Sequence, residues 1–182
     1  MSKITTKQIV FSAMAIALAT VISVAIKLPS LPNGGSTTLF SMLIVCLIGY
    51  WYGPKVSLIA AIAYGILQFI VGPYVVHPLQ VILDYPLAFG ALGLSGFFAN
   101  SKHGLIKGFL VGAGGRFIVH CISGVIFYTT YVGDFVGNVS AIWAGILYNM
   151  TCIVPEMILT LILLALPPVR KAMGELKKLA LS

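Results

Sequence analysis

Five residues of this chain could do chemistry where chemistry is costly: Asp84, Arg116, His120, Asn149 and Glu156 all lie inside long apolar runs. Ionisable groups in such runs are functional candidates by default, because each must be paired or must line a polar cavity. The chain has four acidic residues in total, and two of them are Asp84 and Glu156. Tyr64, Tyr85, Tyr128, Trp143 and Tyr148 supply aromatic faces around them. A pocket with one carboxylate, an imidazole, an amide and several rings suits a small, flat, cationic heterocycle: the carboxylate answers the charge, and the rings stack and add cation-π attraction. His120 and Asn149 can serve ring donors and acceptors.

Each of these residues also has a plainer reading. Tyr and Trp gather at membrane interfaces as anchors. Asp84 could pair with Arg116 to hold two helices together. Arg116, one helical turn from His120 on the same face, could be a counter-ion or a pocket floor. Glu156 follows Pro155 and suggests a kink or a partner contact more than a ligand contact, and His77 and His103 fall in loops. What is missing narrows the chemistry further. No G-x-x-x-x-G-K-[ST] is present, so ATP is not hydrolysed through a P-loop of this chain. Neither metal-ligand spacing nor a nucleophile-base arrangement is visible, and the expectation is no enzyme, no metal and no cofactor. Cys46, Cys121 and Cys152 are odd in number and lie in apolar stretches, which indicates packing.

The elements that must position these groups are transmembrane helices. Of 182 residues, 59% are hydrophobic and 8% charged, with mean hydropathy +1.06, far more apolar than a soluble domain. Apolar blocks at about residues 8 to 28, 39 to 52, 56 to 72, 79 to 99, 106 to 128 and 139 to 166 predict an all-α integral membrane protein. It is read as a single membrane domain of six transmembrane helices over residues 1–182. The second block is short for a span of about 20 residues. The net charge of +7 does not form a nucleic-acid stripe. Lys3, Lys7, Lys55, Lys102, Lys107, Arg170, Lys171, Lys177 and Lys178 fall on one side when both termini are cytoplasmic, so the positive-inside rule sets that orientation. Lys27 is the one basic residue left near the outer face.

With that topology, a rise of about 1.5 Å per residue places Asp84 roughly 8 Å below the outer boundary, His120 and Tyr64 roughly 12 Å and Asn149 roughly 15 Å. Four helices deliver polar or aromatic groups to one layer. Glu156, roughly 25 Å down by the same count, falls outside it. In the first helix, Ala13 with Ala17 and Ala15 with Ala19 form small-xxx-small pairs that permit close helix approach, either within the bundle or to a partner.

The segment from His77 through Gln80 and Asp84-Tyr85, followed by Ala88-Phe89 and Gly93-Leu94-Ser95-Gly96, resembles a signature of the thiamine-specific substrate-binding (S) components of energy-coupling-factor (ECF) transporters. The Arg116-Phe117-Ile118-Val119-His120 stretch, ending at Ser123-Gly124, is similar to that family's fifth-helix motif. Tyr148-Asn149 and Val154-Pro155-Glu156 resemble its sixth helix, and Pro32-Asn33-Gly34-Gly35-Ser36 its first loop. The resemblance implies a bacterial plasma-membrane binder of thiamine in a multi-subunit vitamin importer. Its expected partners are a transmembrane coupling protein, contacted through Ala13 and Ala17, and two ABC ATPases. It assigns ligand contact to Asp84, Tyr85, His120, Asn149, Tyr64 and Tyr128, and Trp143, Gln80 and Arg116 complete the expected binding residues. Some members carry Trp at the positions of Tyr64 and Tyr128 and Glu at that of Asp84, and the family's Tyr five residues before the Asn is Ala144 here. The alternatives are an S component for another small vitamin or thiamine precursor, and a proton-coupled secondary transporter using Asp84, His120 and Glu156 as a relay.

Overall fold

The computed structural model describes residues 3–26, 37–132 and 138–182, with the side chains of 128–141 also left undescribed. The first-loop segment Pro32 to Ser36, Lys27 and the Tyr128 side chain therefore lie outside the described residues. Among the described residues seven helices follow in order: α1 Thr6–Ala25, α2 Ser41–Tyr52, α3 Pro54–Val71, a composite α4 over Pro78–Phe98, α5 Gly104–Val132, α6 Asn138–Ala165 and α7 Pro167–Leu181. All but α2 and α7 are long and apolar enough to cross a membrane.

Sequence punctuation explains the boundaries. Thr5 and Gln8 form a reciprocal capping box at the start of α1, satisfying two otherwise unpaired donors. Gly53 adopts φ +80°, which turns α2 directly into α3 with Pro54 at the first helical position. The short second block is a helix of 12 residues whose face is mostly buried: Met42, Val45, Cys46 and Ile48 are all at 1% exposure or less. A half-length helix is tolerated at membrane depth because its start, at Ser41 and Met42, is buried in protein and Gly53 carries its end straight into α3.

Helix α4 changes geometry along its length. Pro86 has no N–H to give to the carbonyl of Ile82, and Leu83–Leu87 widens into a π turn, with the Ala88 N–H donating to Leu83 five residues back. Asp84 lies in that turn. Its second half, Ala91–Phe98, tightens to a 3₁₀ helix and is surrounded by small residues. A Cβ on Gly93 would meet the Leu58 backbone at 2.6 Å, and one on Gly112 would meet the Leu92 carbonyl at 3.0 Å. Backbones approach there as small residues permit in membranes.

Both termini meet on one face, where Lys7 Nζ donates to the Leu179 carbonyl at 3.1 Å. Helix α7 was not anticipated from the apolar pattern: Pro167 and Pro168 end the last span, and Pro at a first turn also starts a new helix.

Candidate functional site

The ligand layer expected from depth counting is assembled by contacts among α4, α5 and α6. Asp84 Oδ1 is 3.2 Å from His120 Nδ1, and Asp84 Oδ2 accepts from Gln80 Nε2 at 2.7 Å. On the other side of the imidazole, Arg116 Nε donates to His120 Nε2 at 3.4 Å. Since Arg116 can only donate, Nε2 is the acceptor and Nδ1 carries the proton toward Asp84. The chain of bonds then runs in one direction, from guanidinium through neutral imidazole to carboxylate. The His120 and Asp84 side chains keep 17% and 19% exposure, so this carboxylate is reachable.

Asn149 approaches from α6. Its Nδ2 donates to the His120 carbonyl at 3.1 Å and to the Gly145 carbonyl at 2.9 Å. Among the described residues its Oδ1 has no hydrogen-bond partner, which leaves an acceptor in the layer. Gly124 and Gly145 make the crossing possible: a Cβ on Gly124 would stand 3.1 Å from Asn149 Nδ2.

Phe89 is the plate behind these groups and a residue that pattern reading passed over as a site. The Arg116 guanidinium stacks over its ring at 4.1 Å, a favourable cation-π placement. Tyr64 meets Phe89 edge-on at 5.3 Å and His120 meets it at 6.3 Å. Because Phe89 follows Asp84 by five residues across the π turn, its position could not be counted from 3.6-residue periodicity. Ser123 also went unassigned; it is 1% exposed, and among the described residues its Oγ makes no hydrogen bond of good geometry, although it lies close enough to Asp84 to act on that carboxylate.

The remaining expected contacts are distributed unevenly. Gln80 is 1% exposed and committed: Oε1 accepts from the Val76 N–H at 3.2 Å, and Nε2 donates to the Tyr74 carbonyl as well as to Asp84. It orients the carboxylate. Tyr64 is fully buried with its hydroxyl 3.5 Å from the Ala19 carbonyl, so it supports Phe89 from behind. Tyr85 turns to the α3–α4 loop, where its hydroxyl accepts from the Tyr74 N–H at 2.9 Å and donates to the Gly72 carbonyl at 3.0 Å. Trp143 is 60% exposed. His77 caps α4, with Nδ1 accepting from the Leu79 N–H at 3.1 Å.

Glu156 is 2% exposed and occupies a different place. Its Oε1 accepts from the Met42 N–H at 2.8 Å and Ser41 Oγ at 3.2 Å, and Oε2 accepts from Thr38 Oγ1 at 3.0 Å. Pro155 completes this joint. Without an N–H it leaves the Thr151 carbonyl unpaired four residues back, and Thr37 Oγ1 donates to that carbonyl at 3.0 Å. The Pro-Glu pair thus docks the start of α2 onto α6. Seven residues along α6 from Asn149, Glu156 lies roughly 10 Å from the layer.

A bundle of apolar helices that keeps a partly exposed, hydrogen-bonded carboxylate between its spans is an integral membrane protein with a candidate polar site among its helices. The chain belongs to the thiamine transporter family: the family model described as "Thiamine transporter protein (Thia_YuaJ)" matches residues 9–174. Thiamine transporter ThiT of Bacillus subtilis is 32% identical over 152 residues, covering 75% of this chain and 77% of that protein. ThiT of Lacticaseibacillus paracasei is 34% identical over 89 residues, covering 40% and 44% respectively. The solved structure of ThiT from Listeria monocytogenes superposes with a TM-score of 0.66 over 88% of this chain and 94% of that one, at 23% identity, which speaks to the fold. The protein is a multi-pass protein of the bacterial plasma membrane.

Proposed function

We propose that this chain is a thiamine-binding S component, which captures the vitamin and relies on separate subunits for energy. The observation that carries the reading is the Asp84-His120-Asn149 layer, reachable at the carboxylate and backed by Phe89. Thiamine is a flat cation with an aminopyrimidine ring. Asp84 answers its positive charge and polar edge, His120 and Asn149 serve its ring donors and acceptors, and Arg116 holds the imidazole in the tautomer that donates to Asp84. Gln80 orients the carboxylate. Tyr85 and Tyr128 contribute at the rim in this reading, with Tyr64 as second wall; Trp143 reaches the ligand only if the bound form turns it inward.

In this reading ATP hydrolysis belongs to partner ATPases of an ECF-type importer, in keeping with the absence of a P-loop motif from the sequence. For the coupling protein the favoured surface is α1, where Ala13 and Ala17 are exposed beside Val10, Met14 and Val21 while Ala15 and Ala19 face inward. The distribution of Lys and Arg supports a cytoplasmic position for both termini. Titration of the purified full chain with thiamine in detergent tests the reading. Saturable binding at or below micromolar thiamine, with no uptake by the chain alone in liposomes, is expected. Absence of binding, or proton-driven uptake by the chain alone, overturns it.

A further inference from the structure

Helix α7 takes no part in the ligand layer, yet it is strapped firmly to the termini face. Val169 and Met173 pack on the core. Lys177 Nζ donates to the Ala99 carbonyl at 2.6 Å and stands over the Tyr50 ring at 4.1 Å. Tyr52 donates to the Ala180 carbonyl at 3.2 Å. Even so, one flank is left uncovered: Leu166 is 47%, Leu176 40% and Leu179 57% exposed. At about 100° per residue, Leu176 and Leu179 extend the apolar arc of Val169 and Met173, while Lys171 and Lys178 lie across the helix from it and Arg170 flanks its other edge.

The position of the helix fixes what can cover that flank. Span α6 ends at Ala165 and α7 begins two residues later, so α7 starts at the boundary between hydrocarbon and headgroups. Its charges are complementary to anionic lipid: four basic residues against Glu175 alone, and Glu175 is held by Lys178 at 2.9 Å. Lys177 is committed inward. Arg170 and Lys171 are exposed, and among the described residues neither has a carboxylate within 4.0 Å.

We propose that α7 is an interfacial foot, whose Leu176 and Leu179 flank enters the acyl boundary while Arg170 and Lys171 bind anionic phospholipid headgroups of the adjacent leaflet. This assignment is independent of the ligand and of which side faces the cytoplasm. The test is amide hydrogen exchange along α7 in the full chain, reconstituted in nanodiscs of phosphatidylcholine or of equal parts phosphatidylcholine and phosphatidylglycerol. Both leaflets of such a disc are alike, so orientation cannot mask the result. Each surface cation contributes about fivefold, the equivalent of about 1 kcal/mol, so α7 exchange is expected to slow several-fold in the anionic discs. High salt should erase the difference, and so should Arg170→Gln with Lys171→Gln, at unchanged thiamine affinity. Leu176→Ser with Leu179→Ser should speed exchange in both lipids. Equal exchange of the wild-type chain in the two lipids, or a difference that survives the double Gln variant or high salt, overturns the proposal.

Discussion

Asp84 and Glu156 are both carboxylates inside the membrane, and the two are held in opposite ways. Glu156 accepts from one backbone N–H and two hydroxyls and is 2% exposed. Asp84 accepts from two side chains, Gln80 and His120, and keeps 19% of its side chain exposed. A carboxylate satisfied by a helix start is a structural joint, because releasing it would strand the Met42 N–H and two hydroxyls in apolar surroundings. One satisfied by an imidazole and an amide, with access left over, can exchange part of its shell for a ligand. Intramembrane charge alone therefore does not mark a site; what surrounds the charge decides.

The largest effect expected from breaking this contrast is at Asp84. Asp84→Asn keeps the shape and removes the charge, and should weaken thiamine binding about a hundredfold, as loss of one member of a desolvated charge pair does. Calorimetric titration reads it directly. Glu156→Gln should act on stability: replacing one acceptor oxygen with an amide costs about 1–3 kcal/mol, seen as a lower midpoint in a detergent thermal melt. Its thiamine affinity should fall less than tenfold by the same contact cost, discounted by distance from the ligand layer. Equal affinity losses in the two variants would erase the distinction. Thr38→Val removes one donor from the Glu156 joint and should cost about 1 kcal/mol in the same melt. Smallest of all, Trp143→Phe, at a residue 60% exposed, should leave affinity within about twofold; a tenfold loss would bring that ring into the site.

How much of this was legible in the sequence follows from the periodicities. Spans announce themselves by apolar length, and helical rise was enough to put Asp84, His120 and Asn149 in one layer, where contacts now join them. Rise set Glu156 apart from that layer but named none of the partners that hold it. It also gave no direction around an axis: the π turn at Leu83–Leu87 brings Phe89 behind the site and turns Tyr85 to the α3–α4 loop. The docking of Thr37, Thr38 and Ser41 on Pro155-Glu156 is a contact across more than a hundred residues, and local pattern carries no trace of such pairs. Helix α7 escaped because its pattern is amphipathic, and a search for apolar length passes over it.

The account rests on Asp84 being the carboxylate that meets a cationic ligand. Titrating thiamine into the wild-type, Asp84→Asn and Glu156→Gln proteins under one set of conditions tests this most directly. Tight binding by the wild type, near-wild-type binding by Glu156→Gln and a loss of about a hundredfold confined to Asp84→Asn is the predicted result. Wild-type affinity retained by Asp84→Asn would contradict it.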